Sequence, residues 1–174
     1  MGTWLIWSED VDELEDLRDR FWKGAWGEGD WCPVCDRWGK VHKRKLNKGM
    51  VRCLIYLYQQ WRKGVNEYIH VPSEAPRHVL NSAEIGKLQH WGLAENMPNE
   101  DDPTKKHTGY WMILSKGIAF LEGRVKVPSH VYIFDNTPLE FTQEMVDPSW
   151  CLGEPFDYRE LMDERANDLD EDLK

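Results

Sequence analysis

The chain has 174 residues, 41% of them hydrophobic, and carries a formal net charge of -9. That length buries one good core with small appendages, and that apolar content excludes a disordered polymer. No apolar run reaches the roughly 18 residues of a membrane helix, and the opening residues lack the basic-then-apolar order of a secretory signal.

Four cysteines without dense, even spacing do not make a secreted disulfide scaffold, so a reducing cytoplasm is the expected location. Charge is spread unevenly. Residues 37–64 hold 9 basic and no acidic side chains, residues 1–36 hold 3 and 10, and residues 151–174 hold 3 and 9. Such a chain touches a polyanion along the basic segment only, or masks that segment with its own acidic ends. Ten tryptophans are read mainly as core filling, with an exposed aromatic surface as the alternative.

In chain order, Ser8 is placed to cap a first helix, and Glu9 and Asp10 suit its positive end. Val11, Leu14, Leu17 and Phe21 form one apolar stripe, so an acidic amphipathic helix is expected over residues 9–23, stopped at Gly24. Residues 25–44 contain Gly27, Gly29, Pro33 and Gly39 with two cysteines, and read as loops and short strands. Asn47 caps a second helix with inner face Met50, Leu54, Leu57 and Trp61, ending at Gly64.

Residues 65–71 read as extended, and residues 73–80 as one or two helical turns. Ser82 is expected to cap a third helix with Ile85 and Leu88 facing in, ended by a left-handed Gly92. Strands are expected over residues 93–97 and 110–114, joined by a polar loop that includes Lys105, Lys106 and His107. Ser115 caps a short helix closed by Gly123. Residues 124–127 and 130–134 are expected to form a hairpin across Pro128-Ser129. A second turn at residues 135–138 leads to residues 139–141. Residues 157–165 read as helical, before an acidic tail.

The order helix, short helix, helix, strand, polar loop, strand, helix is similar to that of a winged helix. Residues 88–95, Leu-Gln-His-Trp-Gly-Leu-Ala-Glu, resemble the end of a recognition helix entering a wing. Residues 109–121 resemble the Tyr-x-Leu-Thr-x-x-Gly-x-x-Phe step of MarR- and PadR-like regulators, with Ser115 where Thr is usual. The whole chain also resembles a family of uncharacterised phage and prophage proteins. That resemblance rests on Cys32 to Cys35, Lys43 to Asn47, Trp91 to Leu93, Val127 to Ser129 and Phe156 to Tyr158, and it implies no settled function. The expected fold is α+β: a winged helix-turn-helix core at 47–123, an acidic helix at 1–24, a Cys-x-x-Cys knuckle and basic segment at 25–46, and a C-terminal hairpin plus helix at 124–174.

Cys32-Pro33-Val34-Cys35 places two thiols within reach of one tetrahedral ion, and Gly39 suits a tight knuckle. A structural zinc is therefore expected, with His42 and Cys53 as the nearest further ligands and His70, His78 and Cys151 behind them. Two rivals stay open. A thioredoxin-type redox pair needs a helix starting at the first cysteine, and Asp36-Arg37-Trp38-Gly39 is a poor one. Plain thiols are the other, and core packing is the default for Cys53.

In a winged helix the third helix enters the major groove and the wing touches the backbone. Lys87 and Gln89 are the expected readers there, with Lys105 and Lys106 on the wing. Arg37, Lys40, His42, Lys43, Arg44, Lys45, Lys48 and Arg52 form a denser basic set able to neutralise phosphates. Trp31 and Trp38 flank the cysteines, placed to stack on bases or simply to pack the knuckle. No histidine pair with metal-ligand spacing, nucleophile elbow, P-loop or dinucleotide glycine pattern occurs, so no enzyme is expected. The expected function is DNA binding, in regulating transcription or another DNA transaction, through Lys40, Lys43, Arg44, Lys45, Lys48, Arg52, Lys87, Gln89, Lys105 and Lys106. The alternative is a protein-interaction module, built on the same scaffold, that binds or inhibits a host or phage protein; a virion component is a third reading.

Overall fold

The structure, a computed structural model, describes residues 8–81, 84–99 and 108–153, with the side chains of residues 8–12 and 78 outside the description. Its elements are helix α1 (Ser8–Trp26), strands β1 (Asp30–Trp31), β2 (Trp38–Gly39) and β3 (His42–Lys45), and helix α2 (Lys48–Arg62). Strand β4 (Ile69–His70), helices α3 (Val71–Glu74) and α4 (Arg77–Leu80), and a 3-10 helix (Ile85–Trp91) follow. Then come β5 (Ala94–Asn96), β6 (Tyr110–Ile113), α5 (Ser115–Leu121), β7 (Val127–Pro128), β8 (His130–Phe134), β9 (Thr137–Phe141), β10 (Met145–Val146) and α6 (Pro148–Leu152). The fold is α+β, divided into one unit of residues 1–44 and 132–140 and a second of 45–131 and 141–174.

In the first unit, α1 runs through Gly24 to Trp26, three residues past the expected end. Gly24 is needed for closeness rather than as a stop: a Cβ there would meet the Asp30 carboxylate at 2.6 Å. Its carbonyl accepts from the N–H of Gly27 at 2.9 Å and of Gly29 at 3.0 Å, and Gly29 has φ +98°. Glycine adopts that left-handed conformation without a Cβ penalty and so ends the helix. The stripe on α1 is used unevenly. Leu14 is 57% exposed, while Phe21 and Trp22 set their rings on Phe134 at 6.1 and 4.8 Å.

The sheet β3–β8–β9 has β3 and β9 at its edges. Asp135 (φ 44°) and Asn136 (φ 61°) form the two-residue turn between β8 and β9. Asp and Asn tolerate positive φ better than most residues, and such a primed turn matches the twist of the paired strands. That turn falls where the second turn was expected, whereas the hairpin expected across Pro128-Ser129 does not form. No positive φ occurs there to close a tight loop; Val127 pairs with Val146 and Pro128 with Met145 instead.

The second unit is built around α2. The Asn47 side chain accepts from the Met50 N–H at 3.0 Å, as its position predicts. Met50, Val51, Cys53, Leu54, Ile55, Tyr56, Leu57 and Tyr58 are all buried, so the helix is covered nearly all round rather than on one face. It packs on β6, the 3-10 helix, α4, α5 and α6. Each such leucine, isoleucine or methionine contributes about 1.5–3 kcal/mol of burial. The expected inner residue Trp61 is only half-buried.

Strand β6 is the centre of a sheet ordered β4–β6–β5, with Ile69 opposite Trp111 and Ala94 opposite Ile113. The third helix is a 3-10 helix, not the expected α-helix, and Ser82 lies outside the described residues. Leu88 and Trp91 are fully buried, three residues apart. That spacing lines up on one side of a three-residue turn. Gly92 is left-handed at φ 66°, as expected. Ser115 is the first residue of α5 and not its cap; Leu114 holds the capping position without a side-chain bond, and its N–H donates to the Leu93 carbonyl at 3.0 Å. The helix expected at residues 157–165 and the acidic tail lie outside the described residues.

Candidate functional site

The cysteine pair sits at the tip of a short antiparallel hairpin. Asp30 faces Gly39 and Trp31 faces Trp38 across β1 and β2. The loop is closed by Cys32 N–H donating to the Arg37 carbonyl at 2.8 Å and Asp36 N–H donating to the Cys32 carbonyl at 2.9 Å. Asp36 takes a left-handed φ of 54° to complete the turn. Cys32 is half-buried and Cys35 exposed, and both are free thiols. The backbone N–H of Cys35, then that of Val34, then the Cys35 thiol hold the Cys32 thiol below its usual pKa, because each favours the thiolate.

The zinc expectation is overturned. Among the described residues, no group of three or more His, Cys, Asp or Glu side chains is placed to hold a metal ion. Two thiols supply only half of a tetrahedral set. His42 is exposed on β3, and Cys53 is in the interior of the second unit, fully buried on α2 with its Sγ 3.9 Å from the Val79 carbonyl. Cys151 is also buried, and burial, with the Asp147 carboxylate adding to it, pushes its thiol up to about 12.

Trp31 and Trp38 meet edge to face at 5.6 Å and remain 58% and 53% exposed. Tryptophan is not mainly core filler here: of the eight described, only Trp91 and Trp111 are buried.

All four residues of β3, His42, Lys43, Arg44 and Lys45, are exposed. Alternate residues of a strand face opposite sides, so the run divides into a His42/Arg44 face and a Lys43/Lys45 face. Lys43 Nζ lies 5.6 Å from the centre of the Tyr132 ring, and Lys45 Nζ lies 4.3 Å from that of Trp150. A ring face orients a cation without neutralising it. Lys40 Nζ contacts Glu28 Oε2 at 3.2 Å, but that carboxylate is 99% exposed, so the pair is weak. Lys48 and Arg52 are half-buried on α2.

The expected reading residues are poorly placed. Lys87 Nζ binds Glu84 Oε2 at 3.0 Å within its own turn, and Gln89 is half-buried. Burial, with the neighbouring Lys87 charge, lowers the pKa of His90, so that imidazole adds no cation at neutral pH. Lys105 and Lys106 lie outside the described residues.

Tyr132 and Trp150 were missed as partners of the basic strand, and α6 was missed as an element. Asp147-Pro148 was its available signal. The Asp147 carboxylate accepts from the Trp150 N–H at 3.0 Å, and proline is favoured at the first helical position. No family model, no curated protein and no solved structure matches the chain.

Proposed function

We propose that the chain is a DNA-binding protein of winged-helix type that grips the phosphate backbone through its basic strand. The observation that carries this is β3, on which four consecutive residues, three of them Lys or Arg, are all exposed. Around them, residues 37–64 contain no acidic side chain. The winged-helix reading is supported by the sheet order β4–β6–β5 and by the chain order α2, β4, α3, α4, 3-10 helix, β5, β6.

The 3-10 helix shifts the expected mode of contact. Seven residues at about 2.0 Å rise make a short, tight rod, and its one lysine is already paired. Phosphate contacts therefore carry most of the affinity, and base reading contributes little. Net charge -9 keeps the rest of the surface from joining in.

The test is retention of duplex DNA across a salt series. Three phosphate contacts, from Lys43, Arg44 and Lys45 of β3, give a log–log slope of about -2.7 and a loss of roughly 40-fold between about 50 and 200 mM salt. The double variant Lys43→Glu/Arg44→Glu is expected to bring the slope near -0.9. Salt-insensitive binding, or none at the lowest salt, refutes the reading.

A second reading, a protein-interaction module, is favoured by the exposure of Trp31 and Trp38. A single stoichiometric partner that survives nuclease treatment, and is lost in Trp31→Ala/Trp38→Ala, would select it.

A further inference from the structure

We infer that Cys32 and Cys35 form a reversible thiol–disulfide site, oxidised in place by a small-molecule disulfide while the hairpin that carries them stays folded. The inference is independent of DNA binding.

The geometry is favourable at three levels. Pro33 restricts the backbone between the two thiols, because its ring fixes φ. The two backbone hydrogen bonds at Cys32, at 2.8 and 2.9 Å, close the loop and hold both cysteines in one turn. A short, already closed loop has little entropy left to lose when a covalent bond forms within it. Access is the second level: Cys35 is exposed and Cys32 half-buried, so an oxidant reaches both.

Reactivity is the third. The N–H groups of Cys35 and Val34 favour the thiolate at Cys32, which makes it the attacking sulfur. No helix begins at Cys32, so the pair lacks the feature that makes a strong dithiol oxidoreductase. It is fitted to be modified rather than to turn over substrates.

The chemistry balances with glutathione disulfide as oxidant. Cys32 thiolate attacks one sulfur of that disulfide and expels a glutathione thiolate, which takes up a proton. The Cys35 thiol then loses its proton to solvent, and its sulfur attacks the Cys32 sulfur of the mixed disulfide. The second glutathione leaves. Two protein thiols are oxidised to one disulfide, and one glutathione disulfide is reduced to two thiols.

The other two cysteines act as internal controls. Cys53 is fully buried, and burial keeps the Cys151 thiol protonated with a pKa of about 12.

The full chain, reduced and then held in buffers of increasing glutathione disulfide, is alkylated and digested. The peptide carrying Cys32 and Cys35 is expected to lose two hydrogens, while Cys53 and Cys151 are alkylated only after denaturation. Because the disulfide lies between Trp31 and Trp38, tryptophan emission is expected to fall on oxidation and recover on reduction. Cys35→Ser is expected to stop at the glutathione adduct on Cys32. Labelling of Cys32 by a maleimide is expected to exceed that of Cys151 by roughly tenfold or more, following thiolate fraction. Several results overturn the inference: both hairpin thiols still alkylable at the most oxidising buffer, separate glutathione adducts that never close, a disulfide between two chains, or oxidation only after the far-ultraviolet dichroism of the fold is lost.

Discussion

The indole Nε1–H of Trp91 donates to the backbone carbonyl of Pro128 at 2.7 Å. Trp91 is 1% exposed and ends the 3-10 helix; Pro128 lies in β7 and has no N–H of its own with which to fix the strand. One bond thus ties two elements of the second unit that are 37 residues apart. Trp91→Phe keeps the aromatic packing and leaves that carbonyl unpaired. The expected cost is about 1–3 kcal/mol, seen as a fall of a few degrees in Tm by calorimetry. An unchanged Tm would remove the bond from the account.

Gly117 inverts the usual rule for helices. In an exposed helix interior, Gly→Ala stabilises by about 1 kcal/mol. Here a Cβ would clash with the Leu93 carbonyl oxygen, a backbone atom of the chain entering β5. Gly117→Ala is therefore expected to destabilise, by about 1–3 kcal/mol, with urea unfolding as the readout. Gly86→Ala is the control, since its nearest atoms are Trp111 ring carbons at an ordinary 3.8 Å.

Removing the α2 cap tests the helix that the core is built on. Asn47→Ala deletes the acceptor of the Met50 N–H and is expected to cost about 1 kcal/mol. Asn47→Asp keeps an acceptor, so its urea midpoint should stay near that of the unaltered chain. Equal losses in both variants would show that the side-chain bond is not what matters.

His90 makes stability depend on pH in one direction. Its folded pKa is lowered from 6.5 by burial and by Lys87, so near that value the unfolded chain binds more protons than the folded one. The stabilising difference is present above pH 6.5 and is lost as pH falls through the lower folded pKa. His90→Gln should flatten the Tm profile across that acidic window and leave neutral pH nearly unchanged. Identical profiles for the two proteins would exclude His90 as a contributor.

Features encoded within one or two turns of chain were legible in the sequence. Asn47 and the apolar run after it specify α2, Gly92 specifies a left-handed stop, and the strands at Ala94–Asn96 and Tyr110–Ile113 pair as their composition predicts. The basic run His42–Lys45 was readable as an exposed charged segment for the same reason: nothing apolar in it seeks a core. The candidate site was legible only as a set of cations. Where each cation points depends on partners far away in sequence, such as Tyr132 for Lys43 and Trp150 for Lys45.

Local chemistry alone thus determined the main helix, the stops at Gly64, Gly92 and Gly123 and the sign of charge along the chain, because caps, left-handed glycines and polarity act within a few residues. Tertiary structure decided which strand Val127 joins, that residues 85–91 wind as a 3-10 helix, and that the two thiols gather no third ligand among the described residues. Those outcomes turn on what long-range packing brings alongside, and a residue's own neighbours in sequence carry no record of it.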